Sequence, residues 1–221
     1  MDDPIYILGY AIAEPTVAAT NLLICAFSIY WFIKLKPLSN KYLAIKYWQW
    51  FFGFTALAAL VGAFAHATRP YEAFWGTSLF KVAWILGGLG VSAVQMSATV
   101  LLKSEKLRKI LSKLIIVQFV LFVIALFVYH HFMWVNINSA IGILAVLAVV
   151  HTGLFMKEKL PASRLILTAI FILLFVLLVK GFEMRLFIFN HHDLAHFIVI
   201  ISMYFFYQGA IKLEGREIVN A

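Results

Sequence analysis

Apolar residues gather along this chain into seven long runs, and the short segments between the runs carry most of the charge. A helix that crosses the hydrocarbon core of a bilayer needs about 20 mainly apolar residues. The pattern therefore predicts an all-α, polytopic membrane protein, with residues 1–221 forming a single seven-helix bundle. The predicted helices are Tyr10–Ile33, Tyr47–Ala67, Leu79–Leu102, Ile110–Tyr129, Trp134–Met156, Ala162–Val179 and His192–Ile211.

The composition supports this class and argues against a separate soluble catalytic domain. Of the 221 residues, 64% are hydrophobic and 13% are charged, whereas a soluble domain is about half apolar and about a quarter charged. Seven spans of membrane length use roughly 140–150 residues. Any activity must therefore be built inside the bundle or at its mouth.

The distribution of basic residues predicts the orientation. Four of the 18 lysines and arginines lie on one side of the predicted membrane, namely Arg69, Lys81, Lys180 and Arg185. The other fourteen follow the first, third, fifth and seventh helices, so the positive-inside rule places the N-terminus outside and the C-terminus in the cytoplasm. Topology and contact with anionic lipid headgroups explain the net charge of +8. Nucleic-acid binding is not predicted.

Histidines are concentrated in the predicted outer leaflet, where six of the seven lie; the exception is His151. Ionisable groups at membrane depth are costly, so each is a functional hypothesis. His192 and His196 are one helical turn apart and share a helix face, the spacing of a metal clamp. His66, which ends the second helix, is the natural third ligand, and three protein ligands with an open position are typical of catalytic zinc. The alternative is a pair of interfacial histidines bonded to headgroups or backbone carbonyls.

Three short stretches resemble the alkaline ceramidases, which belong to the CREST group of seven-helix membrane hydrolases together with the PAQR receptors. The stretches are AHATRPYE (Ala65–Glu72), AEPTVAATNL (Ala13–Leu22) and the His192–His196 pair. The resemblance implies a seven-helix fold with the N-terminus outside. It also implies a zinc ion held by His66, His192 and His196.

Two positions depart from the family pattern. The family has a serine one turn before the helix-2 histidine and an aspartate eleven residues after it, where this chain has Gly62 and Thr77. Those groups would be assigned to oxyanion stabilisation and water activation, so a proton-transfer group would have to come from elsewhere. Glu72 and Asp193 are the candidates. Asp193 projects about 100° from His192 around the helix, which suits a supporting role better than attack.

Glu14 and Asn21, on the first helix, are candidates for side chains that support the ligands. Glu14 would orient a ligand histidine through its other ring nitrogen. The alternative is an acid that is bonded to Asn21 or faces water at the interface.

Three functions are compatible with these residues. The leading expectation is a zinc-dependent hydrolase near the extracytoplasmic face, in which zinc-activated water attacks an amide or ester of a membrane lipid. Glu72 or Asp193 would move the protons. The second is a non-catalytic zinc-containing receptor-like or lipid-binding protein, which Gly62 and Thr77 favour. The third is a b-type cytochrome, although an i,i+4 histidine pair suits one compact ion better than a haem.

Overall fold

The computed structural model describes residues 5–7, 9–71 and 78–215, and it contains seven helices long and apolar enough to cross a membrane. They are α1 (Pro15–Ser39), α2 (Leu43–Ala67), α3 (Ser78–Val100), α4 (Glu105–Val128), α5 (Met133–Glu158), α6 (Pro161–Gly181) and α7 (His191–Ile211). The prediction of seven long apolar helices is confirmed.

The predicted start of the first helix at Tyr10 is wrong, because a short β-hairpin precedes α1. Strand β1 (Ile5–Ile7) pairs antiparallel with β2 (Tyr10–Ile12). Pro15 then occupies the first position of α1, where its fixed φ suits a helix start and its missing N–H removes no hydrogen bond. The apolar residues of β2 continue the hydropathy of α1, so hydropathy alone does not separate strand from helix.

Two hydrogen bonds tie the hairpin region to the end of α2. The Ala13 N–H donates to the Ala67 carbonyl at 3.2 Å, and the Ala11 N–H donates to the Tyr71 hydroxyl at 2.9 Å. The residues just before α1 are therefore held against the C-terminal end of α2 and the short segment that follows it.

Several helices also extend beyond the predicted limits. Helix α1 continues to Ser39, and α4 begins at Glu105 instead of Ile110. The Ser104 hydroxyl caps α4 by accepting a hydrogen bond from the Leu107 N–H at 3.3 Å. Hydropathy marks the apolar part of a helix and not the limit of its backbone hydrogen bonding. The prediction therefore left out these charged helical turns.

Each helix packs against the next one in the chain, and α7 returns to contact α1 and α2, which closes the bundle. The hydrophobic core is densest in the half of the bundle far from the hairpin. Its largest fully buried side chains include Trp48, Phe52, Leu35 and Ile45. Hydrogen bonds also join neighbouring helices; for example, the Ser202 hydroxyl on α7 donates to the Ala169 carbonyl on α6 at 2.9 Å.

Helix α5 changes its winding in the middle, from α-helix to π-helix over Ala140–Ala148 and back. Segments of π-helix are rare and are found frequently at functional sites. Gly142 lies in this segment against α3, and a Cβ atom there would be only 2.2 Å from Val91 Cγ1. The close approach of α5 to α3 therefore requires glycine at this position.

Candidate metal centre

The structure brings the three predicted ligands to the end of the bundle that carries the hairpin. His66 lies in the last turn of α2, and His192 and His196 lie in the first two turns of α7. The ring centres of His66 and His192 are 6.4 Å apart. His196 lies one turn after His192 on the same face of α7, and we call these three side chains the histidine cluster.

The start of α7 is fixed by a reciprocal cap between Asn190 and Asp193. The Asn190 side-chain oxygen accepts from the backbone N–H groups of His192, at 2.8 Å, and Asp193, at 3.3 Å. In return, Asp193 Oδ2 accepts from the Asn190 N–H at 3.0 Å. A capping box satisfies backbone donors that a helix start leaves free. Here it also sets the direction in which α7 presents His192 and His196.

Thr20 on α1 connects His196 to the buried carboxylate of Asp193. Thr20 Oγ1 is 2.7 Å from His196 Nδ1 and 3.1 Å from Asp193 Oδ1, and it is also 3.1 Å from the Val17 carbonyl. A carboxylate only accepts hydrogen bonds, and it is a stronger acceptor than the neutral carbonyl of Val17. The Thr20 hydroxyl therefore donates to Asp193, and its oxygen accepts from the Nδ1–H of His196. This tautomer leaves Nε2 of His196 as a lone pair.

Glu14 holds His66 in the same way, but directly. His66 Nδ1 lies 2.5 Å from Glu14 Oε2, and Arg69 pairs with the other carboxylate oxygen. The hydrogen bond from His66 lowers the pKa of the Glu14 carboxyl, and the nearby charges add to this effect against the opposing effect of burial. Glu14 is therefore ionised and accepts from the Nδ1–H of His66, so Nε2 is the His66 nitrogen left for a metal. The expected orienting contact of Glu14 with a histidine is present.

The backbone of Glu14 is in an unusual conformation that serves this contact. Its φ of 46° and ψ of 50° lie in the left-handed region, which costs a residue with a Cβ atom roughly 1–2 kcal/mol. Pro15 follows and disfavours the right-handed helical region for the preceding residue. The hairpin contacts and the bonds to His66 and Arg69 hold Glu14 in place, so that its side chain faces α2.

Three imidazoles are suitable ligands for a zinc ion, but the rings of His66 and His192 are too far apart to share one as they stand. Among residues 5–7, 9–71 and 78–215, no group of three His, Cys, Asp or Glu side chains is placed to hold a metal ion as it stands. Two imidazoles that share a tetrahedral zinc ion have ring centres about 5 Å apart, given Zn–N bonds of about 2.1 Å. The His66 and His192 rings are wider apart than this. Among the three rings, His192 is the one without a described side-chain hydrogen bond, and it packs on the His191 ring with ring centres 4.2 Å apart.

Asn21 has no described contact with the histidines. Its amide donates to the Val17 carbonyl at 3.0 Å, within its own helix. On its other side it lies against Gly62, where an added Cβ atom would be 3.3 Å from Asn21 Oδ1. Asn21 thus lies in the space into which a serine at position 62 would project. The expected supporting contact to a ligand is not seen.

Two of the positions singled out in the sequence follow α2, and the structure does not describe them. Glu72 and Thr77 both lie outside the described residues. Asp193, the other predicted proton-transfer candidate, is fully buried. Hydrogen bonds from Thr16, Thr20 and the Asn190 N–H occupy its carboxylate, so its geometry suits positioning and not proton exchange with water.

Thr16 and Thr20 were not predicted from the sequence to be part of this site. Thr16 donates to Asp193 Oδ2 at 3.0 Å and Thr20 to Asp193 Oδ1 at 3.1 Å. Their signal in the sequence is an i,i+4 pair of hydroxyls, which lie on one face of an otherwise apolar helix. That face is the one turned towards α7.

Lys180 lies near the end of α6, and from the sequence it served only to predict the membrane orientation. Its ammonium lies 4.9 Å from the ring centre of Phe132, and the side chain is partly buried. It interacts electrostatically with His192 and His196. Lys180 therefore lies within electrostatic range of the cluster, a proximity that the sequence alone does not reveal.

Of the other histidines, His191 packs on the His192 ring, whereas His130, His131 and His151 make contacts elsewhere. The His130 ring stacks on Trp84, with ring centres 5.0 Å apart, and the His131 ring accepts from the Met133 N–H at 3.1 Å. His151 lies at the far end of the bundle, where its Nδ1 is 2.9 Å from the Ser163 hydroxyl.

Comparison with known proteins places the chain in a family. The model of a family of unknown function, DUF6962, matches residues 16–215. The chain belongs to this family. No curated protein and no solved structure matches it. The matched region contains all three clustered histidines, together with Thr20, Asp193 and Lys180.

Proposed function

We propose that this chain is a multi-pass integral membrane protein, with the hairpin and the histidine cluster at the extracytoplasmic face. The basic residues support this orientation through the positive-inside rule. The outward faces of the helices support membrane insertion, because large apolar side chains are exposed along them; Leu121 and Phe127 on α4 are 60% and 63% exposed. A continuous apolar surface of this kind is rare on a soluble monomer.

We further propose that the protein is a zinc-dependent hydrolase that cleaves an amide or ester of a membrane lipid. The observation that carries this proposal is the pair of carboxylate-supported histidines. Glu14 holds His66, and Asp193 holds His196 through Thr20, so in both rings Nδ1 is engaged and Nε2 is the nitrogen left for a metal. Ligand histidines are commonly oriented by a carboxylate on their other nitrogen. When bound by these rings and His192, Zn²⁺ would polarise a carbonyl and lower the pKa of a bound water.

The remaining side chains have separate roles in this proposal. Glu14 and Asp193 fix the tautomers of His66 and His196, and neither is available to carry protons. Lys180 supplies positive charge beside the cluster, where it would stabilise negative charge that develops on the substrate carbonyl oxygen. Glu72 stays the candidate for proton transfer.

The proposal is tested with the purified full-length chain in lipid nanodiscs. Fatty-acid release from lipids with amide-linked chains and from lipids with ester-linked chains is measured by mass spectrometry. We expect the wild type and His151→Ala to release fatty acid from one class, and His196→Ala to be slower by at least about 100-fold, the scale of losing a metal-held transition state. Wild-type rates in His196→Ala, or no release from either class by zinc-loaded wild type, would contradict the hydrolase proposal.

One observation favours a second candidate, a non-catalytic zinc-containing receptor-like or lipid-binding protein. Gly62 packs against Asn21, and both described carboxylates that support the cluster are already engaged. Introducing Gly62→Ser together with Thr77→Asp separates the two candidates, with Gly62→Ala as the control for packing against Asn21. Lipid cleavage that appears only in the double variant would mean that the protein itself is not a hydrolase of the ceramidase type.

A further inference from the structure

A groove of about 630 Å³ lies between the C-terminal end of α3, the first turns of α4 and the C-terminal half of α5. Helix α3 begins beside the histidine cluster, where Phe80 contacts the His66 ring with ring centres 5.3 Å apart. It ends at Val100, about 30 Å further along its axis. The groove is therefore at the opposite end of the bundle from the histidines, which is the cytoplasmic end in the proposed orientation. We call it the lysine groove.

The mouth of the lysine groove is charged. Lys103, Lys157 and Glu158 line it, at the ends of α3 and α5. Lys103 pairs with Glu158 at 3.1 Å, whereas no ion pair of Lys157 is found among the described residues. Lys157 is also exposed. One positive charge at the mouth is therefore left without an acid to balance it.

The first turns of α4 add to this positive charge. They carry four basic residues and one acid, namely Lys106, Arg108, Lys109, Lys113 and Glu105. Glu105 pairs with Lys109 at 2.7 Å. Leu107 and Leu111, from the same turns, line the groove. The groove thus opens beside an excess of positive charge.

Below the mouth the wall of the groove is apolar and open to the outside of the bundle. It consists of Leu, Val and Ala side chains together with Gly153. Leu107 and Val149 are exposed, on the surface that would face the bilayer. A Cβ atom added at Gly153 would meet nothing within 4 Å, so the glycine leaves this part of the wall open.

The depth of the groove corresponds to about one leaflet of a bilayer. From Lys157 at the mouth to Ala145 at the deep end is twelve residues of α5, at most about 18 Å along the helix axis. Half of the hydrocarbon core of a bilayer is about 15 Å. Ala145 also belongs to the π-helical segment, a conformation found frequently at functional sites. A basic mouth above an apolar wall of this depth matches a single phospholipid.

We propose that the lysine groove binds one anionic phospholipid of the cytoplasmic leaflet, with its phosphate at Lys157 and an acyl chain along the apolar wall. Basic pockets between membrane helices on the cytoplasmic side bind anionic headgroups. The charge identifies the occupant, because a zwitterionic headgroup would bring a cation of its own towards the basic residues of α4. The inference rests on the proposed membrane location and orientation, and it does not depend on zinc or on hydrolysis.

The experiment measures which lipid the intact protein retains. The full-length chain is analysed by native mass spectrometry with equimolar palmitoyl-oleoyl phosphatidylglycerol and phosphatidylcholine, which carry the same two chains. We expect the wild type to retain phosphatidylglycerol about fivefold more, the worth of one lysine beside an anionic headgroup. Lys157→Gln is expected to lose this preference. Lys41→Gln, which removes the same charge from the turn between α1 and α2, is expected to keep it.

A second pair of variants tests the apolar wall. Gly153→Leu fills the groove from a position where the Cβ atom has open space, and it is expected to abolish the preference for phosphatidylglycerol. Gly87→Leu is the matched control, because a Cβ atom at Gly87 also meets nothing within 4 Å. Thermal unfolding verifies that the variants are folded, and the exposed Lys157→Gln tests the proposal even if Gly153→Leu is not.

Three results would overturn the proposal. Equal retention of both lipids by the wild type would do so. An equal loss of preference in Lys41→Gln and Lys157→Gln would mean that the basic surface as a whole selects the lipid. An unchanged preference in folded Gly153→Leu would mean that the lipid binds outside the groove. Each result is read from intact lipid masses, so it stands apart from any hydrolytic activity.

Discussion

His196 and His151 make nearly the same local contact and yet belong to different kinds of site. Each is bonded through Nδ1 to a hydroxyl on a neighbouring helix, Thr20 at 2.7 Å for His196 and Ser163 at 2.9 Å for His151. The Thr20 hydroxyl also donates to the carboxylate of Asp193. No described hydrogen bond joins Ser163 to a carboxylate. His151 is fully buried, and its Nε2 has no partner among the described residues.

The comparison shows that a histidine–hydroxyl bond does not by itself mark a functional centre. At His196 the carboxylate fixes the tautomer, and His66, His192 and Lys180 all lie within electrostatic range. At His151 the hydroxyl satisfies one ring nitrogen in the packed interior. We therefore expect changes around His196 to alter chemistry and metal binding, and changes around His151 to alter stability alone.

The largest difference is expected for Lys180→Met, which removes the cation beside the cluster. Because one preorganised electrostatic group is worth roughly 100- to 1,000-fold in rate, lipid hydrolysis should fall by about that factor. Zinc content should stay unchanged. Lys81→Met is the matched control, since Lys81 also lies over a ring, Phe127, at 5.3 Å. Equal loss of hydrolysis in both variants would remove the assigned role of Lys180.

Asp193→Asn should have the next largest effect, measured as zinc affinity by competition with a chelator. The neutral amide no longer gives Thr20 and Thr16 a charged acceptor, and losses of this kind typically weaken metal binding by about 10- to 100-fold. The cap of α7 is weakened by the same change, so thermal unfolding is measured in parallel. A folded Asp193→Asn protein with wild-type zinc affinity would contradict the proposed support of His196.

A smaller effect is expected for Thr20→Val, which keeps the shape of the side chain but removes the hydroxyl. His196 then loses its partner at Nδ1 while Asp193 keeps Thr16 and the α7 cap. Zinc affinity should fall by about 10-fold, the lower end of the range for supporting groups. A loss larger than that of Asp193→Asn would mean that Thr20 does not act through the carboxylate.

The smallest effect is expected for Ser163→Ala, which tests the other histidine. His151 loses its hydrogen bond inside the bundle, where such bonds contribute about 0.6 kcal/mol on average. The midpoint of thermal unfolding should fall slightly, and zinc content should not change. Loss of zinc in Ser163→Ala would show that His151 belongs to the metal centre and would end the distinction drawn between the two sites.

The sequence predicted those features that depend on local pattern. Seven apolar runs gave seven helices, and the end of α2 at Ala67 was predicted at the right residue. The hairpin was missed because Tyr10–Ile12 is as apolar as the helix that follows. The π-helical part of α5 was missed because its widened turn leaves no mark on hydropathy.

In the candidate site, too, the features that depend on local pattern were predicted and those that depend on long-range packing were not. His66, His192 and His196 were predicted to lie at one end of the bundle, because their positions at helix ends and the i,i+4 spacing of the pair can be read from the sequence. Thr20 was not, because its role depends on α1 packing against α7, which joins residues 176 positions apart. Lys180 was missed for the same reason. Asn21 was expected near a ligand, but its amide bonds within its own helix.

The zinc content of the purified, folded protein tests the central claim most directly. Elemental analysis would compare the wild type with His196→Ala and His151→Ala, each expressed with zinc in the medium and checked for folding by thermal unfolding. The account predicts stoichiometric zinc in the wild type and in His151→Ala, and almost none in His196→Ala. A folded wild type without zinc, or a His196→Ala variant that keeps its zinc, would contradict it.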